Sequence, residues 1–351
     1  MASINLEVHQ FTEDEILAET KRLLKHLAPL GWDFDICRDL APLTLEINKL
    51  KEEKNIVILG HSYETPDILF GVADHKGDSF GLSKVAQEVE AEGILFAGVH
   101  FMAETAKILN PTKTVYLSDL GAGCSLAESI TAEDVRRLKE QYPGVPVVTY
   151  INTSADVKAE SDIIVTSANA PRILGVMETD RVIFLPDKYM AANLAKEFPD
   201  KEFISWDGRC VVHEEFTGER VHFYRDQFGK DLHILVHTEC APEVVTEADL
   251  AGGTGDMIRY LQDNPQAQKL MLVTECGLVD RLRVEFPDRN FVGTCNLCPY
   301  MKRITLANIL DTLRDPKPEN IIEVEEGIRV RALDALNQMF VLTAKAEKKR
   351  L

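Results

Sequence analysis

The chain has 351 residues, 45% of them apolar, enough to fill two or three packed cores rather than one. Its 39 Lys and Arg stand against 57 Asp and Glu, a net charge of −18. That balance excludes the broad basic face needed for nucleic acid or an acidic membrane surface, while leaving room for a local basic pocket.

Residues 12–30 begin the chain as an expected amphipathic helix, with Ile16, Leu17, Leu23, Leu24 and Leu27 at near-helical spacing. The first twenty residues lack the basic and apolar regions of a secretory leader, and no apolar run approaches the length of a membrane span. A cytoplasmic location without membrane contact is expected. After Lys54 short β-rich runs alternate with helical stretches: 55–60, 93–98, 113–117, 146–151, 181–185, 202–206, 232–236, 269–273 and 290–293. Continuous apolar runs separated by helices predict buried parallel strands and an α/β fold. Several strands lead into helix-start signals: Thr65 with Pro66, Ser154, and Pro242 in a first turn. Such corners lie where α/β proteins bind ligands, and helix N-termini there favour anions. The tail after Lys302 reads as two helical stretches joined by "PKPEN".

A weak threefold repeat runs through this pattern. Polar rings end three strands, His61, Tyr150 and His237, spaced by 89 and 87 residues. Hydroxyl residues follow, Ser79, Ser167 and Thr254, spaced by 88 and 87. Each block closes with a cysteine beyond its third strand, Cys124, Cys210 and Cys298, spaced by 86 and 88. The expected architecture is three small α/β domains with parallel three-stranded sheets about a pseudo-threefold axis. It would bring rings, hydroxyls and thiols to one centre. The expected division is a helical segment 1–50, repeats at 51–130, 131–218 and 219–300, and C-terminal helices at 301–351 packing back on the first repeat. Taken singly, Ser79, Ser167 and Thr254 read as helix caps, His61 and His237 as structural histidines, and Tyr150 as strand filler. The shared period is what raises them above that.

Seven cysteines, an odd number, argue against a disulfide framework and for reduced thiols or a metal site. Three converging thiolates fit a Cys3His zinc site, completed by His213 or His237, or a [4Fe–4S] cluster with one iron lacking a protein ligand. Cys37, Cys240 and Cys276 read as packing. Cys295 and Cys298 form a C-x2-C pair, in which the repeat spacing selects Cys298 and leaves Cys295 as a spare thiol.

From about Lys51 onward the chain resembles the quinolinate synthases. The matching segments include "GHSYETPDI", "GDSFGLSK", "VVTYINTSADVKAESDIIVTSANA", "WDGRCVVHEEF", "VHTECAPEV", "GGTGDMI" and "CPYMKRITL". The resemblance implies three homologous α/β domains around one [4Fe–4S] cluster on Cys124, Cys210 and Cys298. It implies condensation of iminoaspartate with dihydroxyacetone phosphate to quinolinate in NAD biosynthesis, releasing phosphate and water. An aspartate oxidase or dehydrogenase is the implied source of iminoaspartate. His61, Ser79, Tyr150, Asn152, Ser167, His237, Glu239 and Thr254 match substrate-pocket positions. Tyr63, His237 and Glu239 are the candidate proton carriers. His213 is read either as an orienting group or as a loop histidine.

Thr238 stands where proline is expected, Gly253 where serine is usual, and Phe80 and Gly81 where an aliphatic and an acidic residue are usual. These departures bear on substrate grip and leave the proposed ligands intact. The competing readings are another three-cysteine cluster hydro-lyase or reductase, and a non-enzymatic iron–sulfur sensor or electron carrier.

Overall fold

A computed structural model describes residues 9–349. The N-terminal helix Glu13–Leu27 starts at a Thr12–Glu15 capping box, and Asp33 caps the helix Phe34–Glu53 that packs against it. Gly31, at φ +82°, makes the left-handed turn between them. Arg22 binds the Glu19 carboxylate and reaches the carbonyls of Phe70 and Gly71, fastening this hairpin to the sheet units that follow.

Among the described residues, twelve strands form three parallel sheets. The first holds β1 (Ile56–His61), β2 (His75–Gly77), β3 (Gly93–Ala97) and β4 (Thr114–Leu117). The second holds β5 (Val147–Tyr150), β6 (Ile163–Val165), β7 (Arg181–Leu185) and β8 (Glu202–Ser205). The third holds β9 (Leu232–His237), β10 (Leu250–Gly252), β11 (Lys269–Val273) and β12 (Asn290–Phe291). Each sheet is ordered second–first–third–fourth. The α/β class stands, but the sheets have four strands where three were expected. The missed strands, β2, β6 and β10, are three residues long, too short to show a periodicity. Each is recruited by pairing alongside the first strand of its unit. The cysteine of each block therefore follows the fourth strand, not the third.

The two central strands of each sheet are largely buried because helices cover both faces. In the third sheet the alternation is explicit: Ile234, Val236, Met271 and Val273 enter one core, and Leu235, Leu270 and Leu272 another. A larger core spans the first two sheets and the C-terminal helices.

The helix Leu306–Arg314 packs on Phe34–Glu53, but the closing helix Glu326–Lys348 lies chiefly on the second unit. It touches the helix Ala155–Ala159, β6 and the helix Ala170–Leu174, and to a lesser extent the helix His100–Leu109. The expectation that the tail packs on the first repeat thus covers only part of the contact. Twenty-three residues span roughly 35 Å, long enough to bridge two units. Buried Ala332 and Ala335 permit close approach, while Thr343 accepts from Asn169 and Phe340 meets Phe80. Among the described residues no helix is long and apolar enough to cross a membrane.

Gly277 lies in the helix Cys276–Glu285, where a Cβ would overlap the Tyr63 carbonyl of the first unit and sit 2.9 Å from Glu275 Oε2. Helix propensity alone favours alanine there by about 1 kcal/mol. The contact is with backbone and cannot yield cheaply. Gly277→Ala is therefore expected to destabilise the protein by about 1–3 kcal/mol, read as a lower urea midpoint. A gain in stability would show that the first and third units are not in contact at this point.

Candidate active site

In the order second–first–third–fourth, the chain reverses direction across the sheet between the first and third strands, and ligands bind outside the C-terminal ends at that switch point. The last residues of β1, β5 and β9 are His61, Tyr150 and His237. The helices beginning at Ser79 and Thr254 follow β2 and β10 and present their N-termini to the same space. Asp78 and Gly253 take the N-cap positions, so Ser79 and Thr254 are first-turn residues rather than caps. Asn169, not Ser167, occupies the N-cap of the helix Ala170–Leu174.

One cavity is lined by His61, Tyr63, Ser79, Tyr150, Asn152, Ser167, His237, Glu239, Thr254, Cys124, Cys210 and Cys298. The structure thus brings the candidate cluster cysteines, proton carriers and substrate-pocket residues named from the sequence to one cavity. Phe80, Phe101 and Met102 add apolar surface, and the Asn152 Oδ1 and Thr166 Oγ1 atoms, both on lining residues, are buried without a hydrogen-bond partner.

A continuous polar chain crosses all three units. Tyr150 donates to Glu239 Oε1 at 2.5 Å, and Glu239 Oε2 lies 2.9 Å from His213 Nδ1. His213 Nε2 is 3.0 Å from Thr274 Oγ1, which is 3.0 Å from the Tyr63 hydroxyl, and Thr254 donates to that hydroxyl at 3.0 Å. Burial alone raises the Glu239 pKa. The neighbouring His237 and His213, with hydrogen bonds from His213 and Tyr150, outweigh it and hold the carboxyl below its ordinary range. An ionised carboxylate only accepts, so the proton sits on His213 Nδ1 and Nε2 accepts from Thr274. Hydroxyl, imidazole and carboxylate follow one another in the order of an acyl-transfer triad. Burial drives His61 and His237 down to about 3, so both rings are neutral. Burial, then the Glu239 charge, lifts Tyr63 and Tyr150 well above the phenol range, which makes them proton donors.

His213 lies in the turn after Cys210, yet it is buried and is a member of this chain. The sequence reading missed Thr274 altogether. Its signal is the recurrence of "TEC" after β9 and after β11, at 238–240 and 274–276. The same recurrence marks Glu275, and Asp187 is the buried acid in the corresponding place after the third strand of the second unit. Glu275 Oε1 accepts from Cys298 N–H at 2.9 Å and pairs with Lys302 at 3.0 Å.

The three thiols come from the loops after β4, β8 and β12. Burial pushes Cys124 up to about 12, Cys210 well above the thiol range, and Cys298 upward. The three thiols are half-buried, and a bound cation would favour the thiolates that burial disfavours. Soft sulfur donors of this kind fit iron–sulfur or zinc. Cys210, His213 and Glu239 also place a donor atom each within 4.8 Å of the others. A metal there would have to take the His213 and Glu239 atoms that now bond each other.

Cys276 and Cys295 form a disulfide, with Cα atoms 4.9 Å apart. This corrects the reading of Cys276 as filler and pairs the thiol that the repeat spacing left over, Cys295, while the other five cysteines stay free. The cause is a parallel bridge between Glu275 and Asn296 that aligns the two segments. The departures also have local accounts. Thr238 donates its N–H to the Gly252 carbonyl, which proline could not do. A Cβ on Gly253 would overlap the Ser167 side chain.

The family model described as Quinolinate synthetase A protein matches residues 45–341. Quinolinate synthase 1 of Mesorhizobium japonicum is 51% identical over 318 residues, covering 91% of this chain and 95% of that protein. The quinolinate synthases of Sinorhizobium fredii and Caulobacter vibrioides are 49% and 46% identical, over 85% and 90% of this chain and 82% and 86% of theirs. A match of this extent, on a chain whose three sheets converge on one polar cavity, makes it an enzyme of NAD biosynthesis that belongs to the quinolinate synthase family.

Proposed function

We propose that this chain condenses iminoaspartate with dihydroxyacetone phosphate to give quinolinate, phosphate and water, with a [4Fe–4S] cluster held by Cys124, Cys210 and Cys298. The observation that carries the reading is the convergence of three cysteines, one per unit, on the cavity that His213, Glu239 and Tyr63 also line. Such a cluster, when bound, offers an iron without a protein ligand, a Lewis acid for an oxygen leaving as hydroxide.

The chain's own groups supply the rest. Two carboxylates and a phosphate need N–H and hydroxyl donors rather than a large basic patch. Ser79, Ser167, Thr254 and the two helix N-termini provide them. Asn152 Oδ1, buried without a partner, is an acceptor for a substrate donor. Phosphate loss, keto–aldehyde isomerisation, imine formation and dehydration each move a proton. Tyr63 stands at the open end of the Thr274–His213–Glu239 chain and gives or takes it at its phenolic oxygen. The ionised Glu239 stabilises His213 when that ring holds a second proton. His61 and His237, both neutral, hydrogen-bond the substrate without repelling or trapping it as fixed charges. The short-lived iminoaspartate would come from an aspartate oxidase or dehydrogenase.

Protein purified without oxygen should hold about four iron and four sulfide per chain and form quinolinate from freshly generated iminoaspartate. Cys210→Ala should lose both. A cluster-replete enzyme that makes no quinolinate would overturn the substrate assignment, and full activity in Cys210→Ala would overturn the cluster.

Tyr63→Phe keeps the ring and removes the proton, so kcat should fall roughly 10²–10⁴-fold with little change in KM. An unchanged kcat would remove Tyr63 from the proton path.

The buried rings also set an acid limit on stability. In the unfolded chain His61 and His237 take protons near pH 6.5, whereas in the folded chain they wait until about pH 3. Between these values the unfolded state binds more protons, so stability falls as pH falls from about 6.5. Glu239, whose folded pKa is depressed, adds to the loss below about 4.5. Urea midpoints measured from pH 7.5 to 5 should decline, and His61→Gln should reduce the slope by about one proton. An identical slope would place His61 in water.

A further inference from the structure

We propose that a ring of three side-chain bridges, closed around the cysteine loops, fixes the spacing of Cys124, Cys210 and Cys298. The inference rests on reading these cysteines as ligands of an iron–sulfur cluster.

Each junction between loops has its own bridge. Ser125, next to Cys124, donates from Oγ to the Arg209 carbonyl at 3.0 Å and accepts from Val211 N–H at 3.1 Å. It therefore grips the residues on both sides of Cys210. Asn296, two before Cys298, donates from Nδ2 to the Val212 carbonyl at 3.1 Å, two after Cys210. Tyr300, two after Cys298, donates its hydroxyl to Glu128 Oε2 at 3.0 Å, in the short helix that starts directly after Cys124. First loop to second, second to third, third to first: the circuit closes. Gly123 leaves the Glu128 carboxylate its place in the last link. A Cβ there would overlap the Glu128 carboxylate where it accepts from Tyr300 and would touch the Tyr300 ring at 3.4 Å.

The second and third loops are tied to their own units lower down, by the bridges of Asp187 with Gly208 and of Glu275 with Asn296. Those contacts position a loop within its unit. The side-chain ring instead sets one loop against another, and that spacing is what a ligand shared by three thiolates requires. Partners of this kind, one step out from the ligands, commonly change metal retention by 10–100-fold when lost.

The test uses the full chain, loaded with iron and sulfide without oxygen. It follows iron withdrawal by a ferrous chelator, together with the low-temperature EPR spectrum of the reduced cluster. Ser125→Ala and Tyr300→Phe should each release iron about tenfold faster and broaden or shift the EPR signal. Ser125→Thr, which keeps the bridging hydroxyl, should restore the parent rate. Because opening one link opens the ring, the Ser125→Ala/Tyr300→Phe double variant should release iron only slightly faster than either single variant, not at the product of the two effects. Parent-like release in both single variants overturns the proposal, and so do multiplicative effects, which would mean independent local contacts. Tyr300→Phe and Ser125→Thr are near-isosteric, so the comparison survives if Ser125→Ala fails to fold. A parent chain that binds no iron and sulfide would overturn the cluster reading itself, an outcome distinct from equal release rates.

Discussion

An ionised carboxylate at 3% exposure costs several kcal/mol of lost hydration unless its oxygens are met by donors. Glu239 is met by Tyr150 on one oxygen and His213 on the other, with the His237 ring stacked on that of His213 at a centroid distance of 4.4 Å. Tyr150 and His213 belong to the second unit, whereas Glu239 and His237 belong to the third. Removing either donor from the second unit would strand a buried charge in the third. The same charge bears on its neighbours: it fixes the tautomer of His213, orders Thr274, and adds to the burial that keeps Tyr63 and Tyr150 protonated. The reactivity of the cavity and the docking of two units are thus consequences of one electrostatic demand.

Close backbone approach is the second condition. The units meet where side chains are missing. Gly277 lies against the Tyr63 carbonyl, Gly255 has room for only the Asp78 carboxylate, and Gly253 leaves space for Ser167. Asp78 is itself the cap of a helix whose N-terminus faces the cavity. Its carboxyl also accepts from Gly255 N–H in the third unit, so one side chain orients an anion-favouring helix and joins two sheets. Substitutions at these glycines act on the site through the backbone although none of them touches substrate.

Much of this was legible in the sequence because it is periodic. Nine strands announce themselves as apolar runs, and the repeat near 87 residues identifies the rings, hydroxyls and thiols that share a wall. What escaped was either short or relational. β2, β6 and β10 are strands only because a longer neighbour offers unpaired backbone groups. Thr274 is an unremarkable threonine until Tyr63 and His213 arrive from two other units. The Cys276–Cys295 disulfide depends on two segments being placed side by side, and its Cys295 was visible only as half of a C-x2-C pair. The closing helix carried apolar positions that suited either unit, and the alanines that let it settle chiefly on the second say nothing by themselves about their partner.

The shared strand order has a consequence for how chemistry is divided along the chain. In each unit the end of the first strand is the same address, and here it is filled by His61, Tyr150 and His237. A symmetric trimer of one such module would be obliged to present three identical groups at its centre. Linking the three copies in a single polypeptide lifts that obligation. One copy supplies a phenol to bind a carboxylate and another supplies the carboxylate, while each retains a cysteine in the equivalent loop. The centre can therefore be symmetric toward a metal and asymmetric toward a substrate.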